Sequence, residues 1–259
     1  MIENWMIILG VTNLLFFLIG LLFFIPRQNY LKKIPELLQS FRLYLPFILI
    51  IVFVVLLQLL EVNILDPYTT KIIGTDFAPV INSFEGDIVI GLSHYWTAAL
   101  VVFFVAMYIV VYPFTLWFTP FSCIITKQTK PLKIFTYGLL LIYGIALPFY
   151  LFLPITNVYT FYGLDSALNT TIPSIEHFFY ATTTINNCFP SLHVAMVLLV
   201  AQTAILTKHK TYAYFTIFCA AAVIIAVMYL AIHWITDVIG GMVLSISVFY
   251  LLKRLIKEK

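Results

Sequence analysis

The chain has 259 residues, 63% hydrophobic and only 10% charged, and its mean hydropathy is +1.04. A soluble domain of this length cannot hide so much apolar surface, which excludes the water-soluble classes and leaves a polytopic membrane protein. The net charge of +3 is scattered over four short segments, so no anionic polymer and no nucleic-acid partner is expected.

Windows of about 18 to 25 apolar residues predict seven spans, at 5–25, 43–65, 95–117, 134–155, 190–207, 211–232 and 238–254. The fold class is therefore all-α, a membrane helical bundle. A β-barrel needs alternating polar positions, and the run from Phe47 to Val55 has none. The first span lacks a basic start and runs into Phe24-Ile25-Pro26-Arg27 without a small-residue cleavage site, so it reads as a retained helix. Residues 27–42 mix Arg27, Lys32, Lys33 and Arg42 with Leu31, Ile34, Leu37, Leu38 and Phe41, a pattern for a short interfacial helix. Segments 66–94 and 156–189 are predicted to be long loops, of the size used for lids and substrate surfaces. Asn169-Thr170-Thr171 fits a glycosylation acceptor. Cys123, Cys188 and Cys219 fall at different depths and suggest no disulfide. There is no repeat and no flexible linker, so residues 1–259 form a single membrane domain.

Basic residues set the orientation. Thirteen of the fourteen Lys and Arg residues fall in the first, third and fifth loops and the tail. Those segments share one side, expected to be the cytosol, with the C-terminus there and the N-terminus outside. Lys71 is the exception. Trp5, Trp96, Trp117 and Trp234 lie near predicted span ends, as in an aromatic belt. The expected location is a multi-pass position in the cell membrane.

Two polar motifs interrupt the apolar pattern on the outer side: Asn187-Cys188-Phe189-Pro190-Ser191-Leu192-His193 and His233-Trp234-Ile235-Thr236-Asp237. Pro190 suits a first helical turn, so the fifth span is predicted to begin there, with the amides near Ser191, Leu192 and His193 forming an anion site. The alternative is that Ser191 only caps the helix. His233 and Asp237 are four residues apart and share a helical face, which allows the carboxylate to hold one imidazole nitrogen. A polar pair satisfying itself would look the same. One hairpin, turning at Lys208-His209-Lys210, joins the motifs and returns His233 to the level of His193.

Phe189-Pro190-Ser191-Leu192-His193 and the stretch from Met228 through His233 and Asp237 to Gly241 resemble the second and third signatures of the phosphatidic acid phosphatase type 2 superfamily. Leu192 and the Met228-Tyr229-Leu230 run look most like its inositol phosphorylceramide synthase branch. The resemblance is specific over roughly 187–245. It implies a six-helix core, here residues 43–259, plus an N-terminal helix and cytosolic loop at 1–42. By the same resemblance His233 is the nucleophile forming a phosphohistidine, Asp237 orients it, His193 protonates the leaving oxygen and Ser191 binds phosphate, with no metal or other cofactor. Substrates are then lipid phosphates or phosphodiesters among the membrane lipids, handled at the extracytosolic face.

The chain departs from that pattern in two places. Val227 and Ala226 stand where the third signature carries Arg and Ser, and the first signature is absent, Lys71 with Ala78 and Pro79 being its nearest fragment. Charge stabilisation must come from elsewhere: the helix start at 190–193, including the Leu192 amide, or Lys71, His94 or His177. Two other classes remain open. One is a metal-dependent hydrolase using His94, His177, His193, His233 and Asp237, although no pair has His-x3-His spacing. The other is a transporter or inactive scaffold, for which only Gln58 and Glu61 are polar near mid-span.

The topology is directly testable. In a Cys-free variant, single cysteines at Thr75, Asn169 and Thr236 should react with an impermeant reagent on intact cells, and cysteines at Lys130 and Lys208 should not. Labelling of Asn169 and Lys130 from the same side would break the seven-span arrangement.

Overall fold

In a bilayer every backbone N–H and C=O must be satisfied within the segment, so long apolar runs become helices. A computed structural model bears this out and describes residues 2–26, 34–171, 176, 180 and 183–256. Among these, six helices are long and apolar enough to cross a membrane, and no named strand occurs. The fold is an all-α polytopic bundle.

Helix α1 (Ile2–Phe24) is followed by α2 (Ile34–Leu60). Residues 27–33 lie outside the described part, and residues 34–42 are the first turns of α2, which corrects the expectation of a separate interfacial helix there. The second span also outlasts its prediction. A π-helical turn, Glu61–Leu65, links α2 to α3 (Asp66–Ile73), and Gly74, at φ +61°, ends the run. A π turn takes up extra residues without ending the helix, which is why hydropathy alone placed the boundary too early. The rest of segment 66–94 contains α4 (Ala78–Glu85) and a 3₁₀ turn, Ile90–Tyr95.

The third span begins at α5 (Ala98–Ala106), capped by the Thr97 side chain. It passes through a second π turn, Met107–Val111, into α6 (Tyr112–Ile125). It thus ends eight residues beyond the predicted position, at Ile125. Helix α7 (Thr129–Phe152) precedes two short helices, α8 (Val158–Phe161) and α9 (Ala167–Thr171). The final three are α10 (Leu192–Leu206), α11 (Lys210–Tyr229) and α12 (Ile235–Leu255).

Helix α10 corrects the fifth predicted span. It has 15 residues, about 22 Å at 1.5 Å per residue, against a hydrocarbon thickness of about 30 Å. It begins at Leu192 rather than Pro190, with Ser191 as N-cap. It is also the core of the bundle: Val194, Ala195, Val197, Leu199 and Val200 are buried, and it packs on α11, α12 and α7. Helix α1 sits at the edge, where Phe16 and Phe17 meet Phe114 and Phe118 at ring separations of 5.7 and 5.8 Å.

Hydrogen bonds tie the outer connections together. The Ile155 and Asn157 amides donate to the Asn186 and Ile185 carbonyls at 2.8 and 2.9 Å. Trp234 Nε1 donates to Thr156 O at 2.9 Å, and Trp96 Nε1 to Tyr229 O at 2.6 Å. Helix α12 approaches the 189–191 segment closely because positions 240 and 241 are glycine. A Cβ on Gly241 would lie 2.4 Å from the Ser191 carbonyl oxygen, and one on Gly240 2.6 Å from the Phe189 ring.

Gly241→Ala should therefore push two backbones apart. The expected loss is roughly 3 kcal/mol, toward the upper end of overpacking costs, seen as a lower unfolding midpoint in detergent together with lost turnover. Wild-type stability and turnover in Gly241→Ala would show that the segments are not locked.

Candidate active site

The end of α11 builds the second motif. Ala231 takes a left-handed conformation, φ +53°, and the chain folds back so that the Ile232 and His233 amides both donate to the Val227 carbonyl, at 2.9 and 3.0 Å. The Ala231 carbonyl accepts the Tyr159 amide at 3.0 Å. Val227 is fully buried: its backbone anchors His233, and its side chain belongs to the core.

The start of α12 then fixes the carboxylate. Asp237 is 0% exposed and His233 4%. His233 Nδ1 lies 3.3 Å from Asp237 Oδ2, and the same oxygen accepts the Trp234 amide at 2.8 Å, the reverse arm of a capping box. A carboxylate only accepts, so Nδ1 carries the proton in this contact. Glu85 of α4 covers the remaining amides of the turn: Ile235 N–H donates to one oxygen at 2.8 Å, and Thr236 N–H and hydroxyl to the other at 2.6 and 2.5 Å. Two acidic groups thus complement the positive end of α12.

The first motif lies alongside. The Ser191 amide donates to the Asp237 carbonyl at 3.0 Å, its hydroxyl accepts the Val194 amide at 3.4 Å, and its side chain is fully buried. Ser191 is the cap of α10 and does not line the cavity in front of the histidines, whereas Leu192 and His193 do. The His193 and His233 rings are 6.0 Å apart. The Tyr108 hydroxyl, on the π turn of the third span, is 3.1 Å from the His193 ring nitrogens.

A cavity of about 210 Å³ opens between these rings and α2. Glu61 and Asn187 form its far wall. Glu61, 2% exposed, accepts from the Tyr143 hydroxyl at 3.2 Å and from Asn187 Nδ2. An apolar groove of about 260 Å³ shares Gln58, Pro113, Leu116 and Met196 with the cavity and continues between α2 and α6 along Ile51 and Val54.

Other predicted residues fall elsewhere. Lys71 lines a separate depression with Asp66, Asp76 and Asn186. His94 is exposed, its Nδ1 3.1 Å from the Gly91 carbonyl oxygen. His177 lies outside the described residues. The sequence pattern does not mark Tyr108 and Glu85 as members of the site, and marks Glu61 only as a mid-span charge, because each comes from a segment distant from both motifs; Cys188 lies inside the first motif but carries no assigned role there. Cys188 Sγ, a His233 ring nitrogen and an Asp237 oxygen all lie within 4.8 Å of one another, a donor set that zinc accepts. Burial, and then the neighbouring Asp237 charge, raise the Cys188 thiol well above its ordinary value, so unligated it stays protonated.

A multi-pass membrane bundle with two histidines and a carboxylate gathered at one cavity is the class that fold and site define. Residues 133–259, from α7 through all three motif-bearing helices, match the model of the PAP2 superfamily. No curated protein and no solved structure matches the chain.

Glu85 is the least obvious support of this geometry. Glu85→Ala should cost about 2–3 kcal/mol, because charged hydrogen bonds to the α12 amides are lost, and turnover should fall with it. Thermal unfolding and turnover of purified protein check this, and a change in neither would remove Glu85 from the structure of the site.

Proposed function

We propose that the chain is a lipid phosphatase or phosphotransferase that works through a phosphohistidine at the extracytosolic face, without a metal. The observation that carries this reading is the His233–Asp237 contact, with the His193 ring 6.0 Å away across one cavity. The apolar groove that leads off the same cavity suits a lipid tail. The likeness to the inositol phosphorylceramide synthase branch concerns the catalytic signatures. Residues 1–42 are an addition to a core of 43–259.

With Nδ1 engaged by Asp237, His233 Nε2 is the nucleophile. It attacks phosphorus, the bond from phosphorus to the leaving oxygen breaks, and His193 delivers its proton to that oxygen. In the second half, water or an alcohol gives a proton to His193 and attacks phosphorus, and the bond to Nε2 breaks. Both histidines then return to their starting states. The positive end of α10, at Leu192 and His193, supplies charge stabilisation in place of the missing Arg. Ser191 acts as a positioning residue by tying α10 to the Asp237 backbone. Lys71 serves at most as an outlying attraction for the phosphate.

A second reading has its own observation, the Cys188, His233 and Asp237 donor set. There the three residues would hold a zinc ion, which supplies an activated water, and His193 would move the proton.

Rapid mixing with phosphate-labelled lipid phosphoesters separates the two. A phosphohistidine survives alkali and is lost in acid. His233→Ala should abolish label and turnover, Asp237→Asn should leave a faint, slow label, and His193→Ala should slow labelling by about 10²- to 10⁴-fold. Turnover should survive strong chelators. Persistent label in His233→Ala at the wild-type rate would remove the nucleophile, and chelator inactivation reversed by zinc but absent in Cys188→Ser would transfer the function to the metal reading.

A further inference from the structure

The lining of the cavity is acidic and aromatic, which is unexpected for a pocket that takes a phosphate monoester. Among the described residues no Lys or Arg lines it, while Glu61 does, together with Tyr150, Tyr180 and the two tyrosines that pack on the His193 ring, Tyr108 and Tyr112. A dianion placed there would face a carboxylate with no Lys or Arg to balance it. Glu61 is held by two neutral donors, Tyr143 and Asn187. A carboxylate has about four acceptor sites, so capacity remains for a third group. Buried charges are retained where they are paired; no Lys or Arg is among the described lining residues, and the proton of His193 is committed to the leaving oxygen.

Both π-helical turns of the described chain contribute to this lining, one through Glu61 and Val62 and the other through Tyr108 and Ile109. Such turns occur often at functional sites because they re-aim side chains inside a helix. The volume, about 210 Å³, suits a headgroup and not a whole lipid, whose tail has the adjoining groove. Tyrosines and a carboxylate lining one cavity are surroundings that can receive an organic ammonium.

We propose that Glu61 and the surrounding tyrosines form a subsite for a positively charged headgroup nitrogen, so that the substrate is a zwitterionic phosphodiester lipid bearing an aminoalkyl or trimethylammonium-alkyl group. This rests on the phosphohistidine reading for where the phosphorus sits. The ammonium occupies the Glu61 side while the phosphate faces the histidines. Glu61 and these tyrosines lie outside residues 187–245, and the catalytic signatures do not determine them.

The test uses full-length protein in detergent and four lipids with the same diacylglycerol: a phosphocholine, its uncharged isostere with a 3,3-dimethylbutyl headgroup, a phosphoinositol and a phosphate monoester. Labelling of His233 and kcat/KM are read for each. Wild type should prefer the phosphocholine over its isostere by about tenfold or more, the scale of a desolvated cation contact. In Glu61→Gln that ratio should fall toward one, and in Glu61→Asp, which keeps the charge, it should be largely restored. Equal use of the charged lipid and its isostere by wild type overturns the proposal without reliance on any variant. A preference for the phosphoinositol or the monoester overturns it as well, as does a cation preference that persists in Glu61→Gln. In those cases a labelled His233 leaves the phosphohistidine reading standing, whereas turnover of any of the four lipids without label on His233 removes that reading and the subsite with it.

Discussion

The site depends on the close approach of α12 to the segment that starts α10. With glycine at 240 and 241 the two backbones come close enough for the Ser191 amide to reach the Asp237 carbonyl. That one contact joins the two polar motifs. Ser191 caps the helix that carries His193, and Asp237 orients His233, so a shift between the segments would change the distance between the rings. Glycine is required at 241 by proximity, because a Cβ there would overlap the Ser191 backbone carbonyl, which cannot rotate away, whereas at 240 the neighbour is the Phe189 ring.

Around this contact the structure is organised to hold a turn still. The chain from Leu230 to Trp234 is not helical, and in a membrane protein its amides and the first amides of α12 need partners. They find them in Val227 O, Asp237 Oδ2 and Glu85. The turn is therefore fixed from three directions, and the imidazole it carries is buried with one nitrogen committed to a carboxylate. Rigidity of this kind is what allows an imidazole to act as a nucleophile with a defined tautomer.

The shortness of α10 matters as well. At 15 residues it is too short to span a bilayer alone, and the apolar groove between α2 and α6 adjoins the cavity at its N-terminus. The long helices on either side bend their register through π turns where they pass the cavity, and this brings Glu61 and Tyr108 to the same place.

Much of this was legible in the amino-acid order. Uninterrupted apolar runs demanded helices, and the His233–Asp237 spacing demanded a shared face, because both follow from the period of a single helix. The hairpin between the motifs brought His193 and His233 to one level for the same reason. Their local geometry is short-range, and short-range geometry is written in sequence spacing. What only the tertiary structure decided is which side chains from distant segments complete the site: Glu61, Tyr108 and Glu85 reach it from three different segments, while Lys71 and His94 lie away from it. The lengths of the helices were also settled there, since a π turn extends a helix without any change in hydropathy. Packing between segments dozens of residues apart depends on every side chain between them, and no local pattern encodes it.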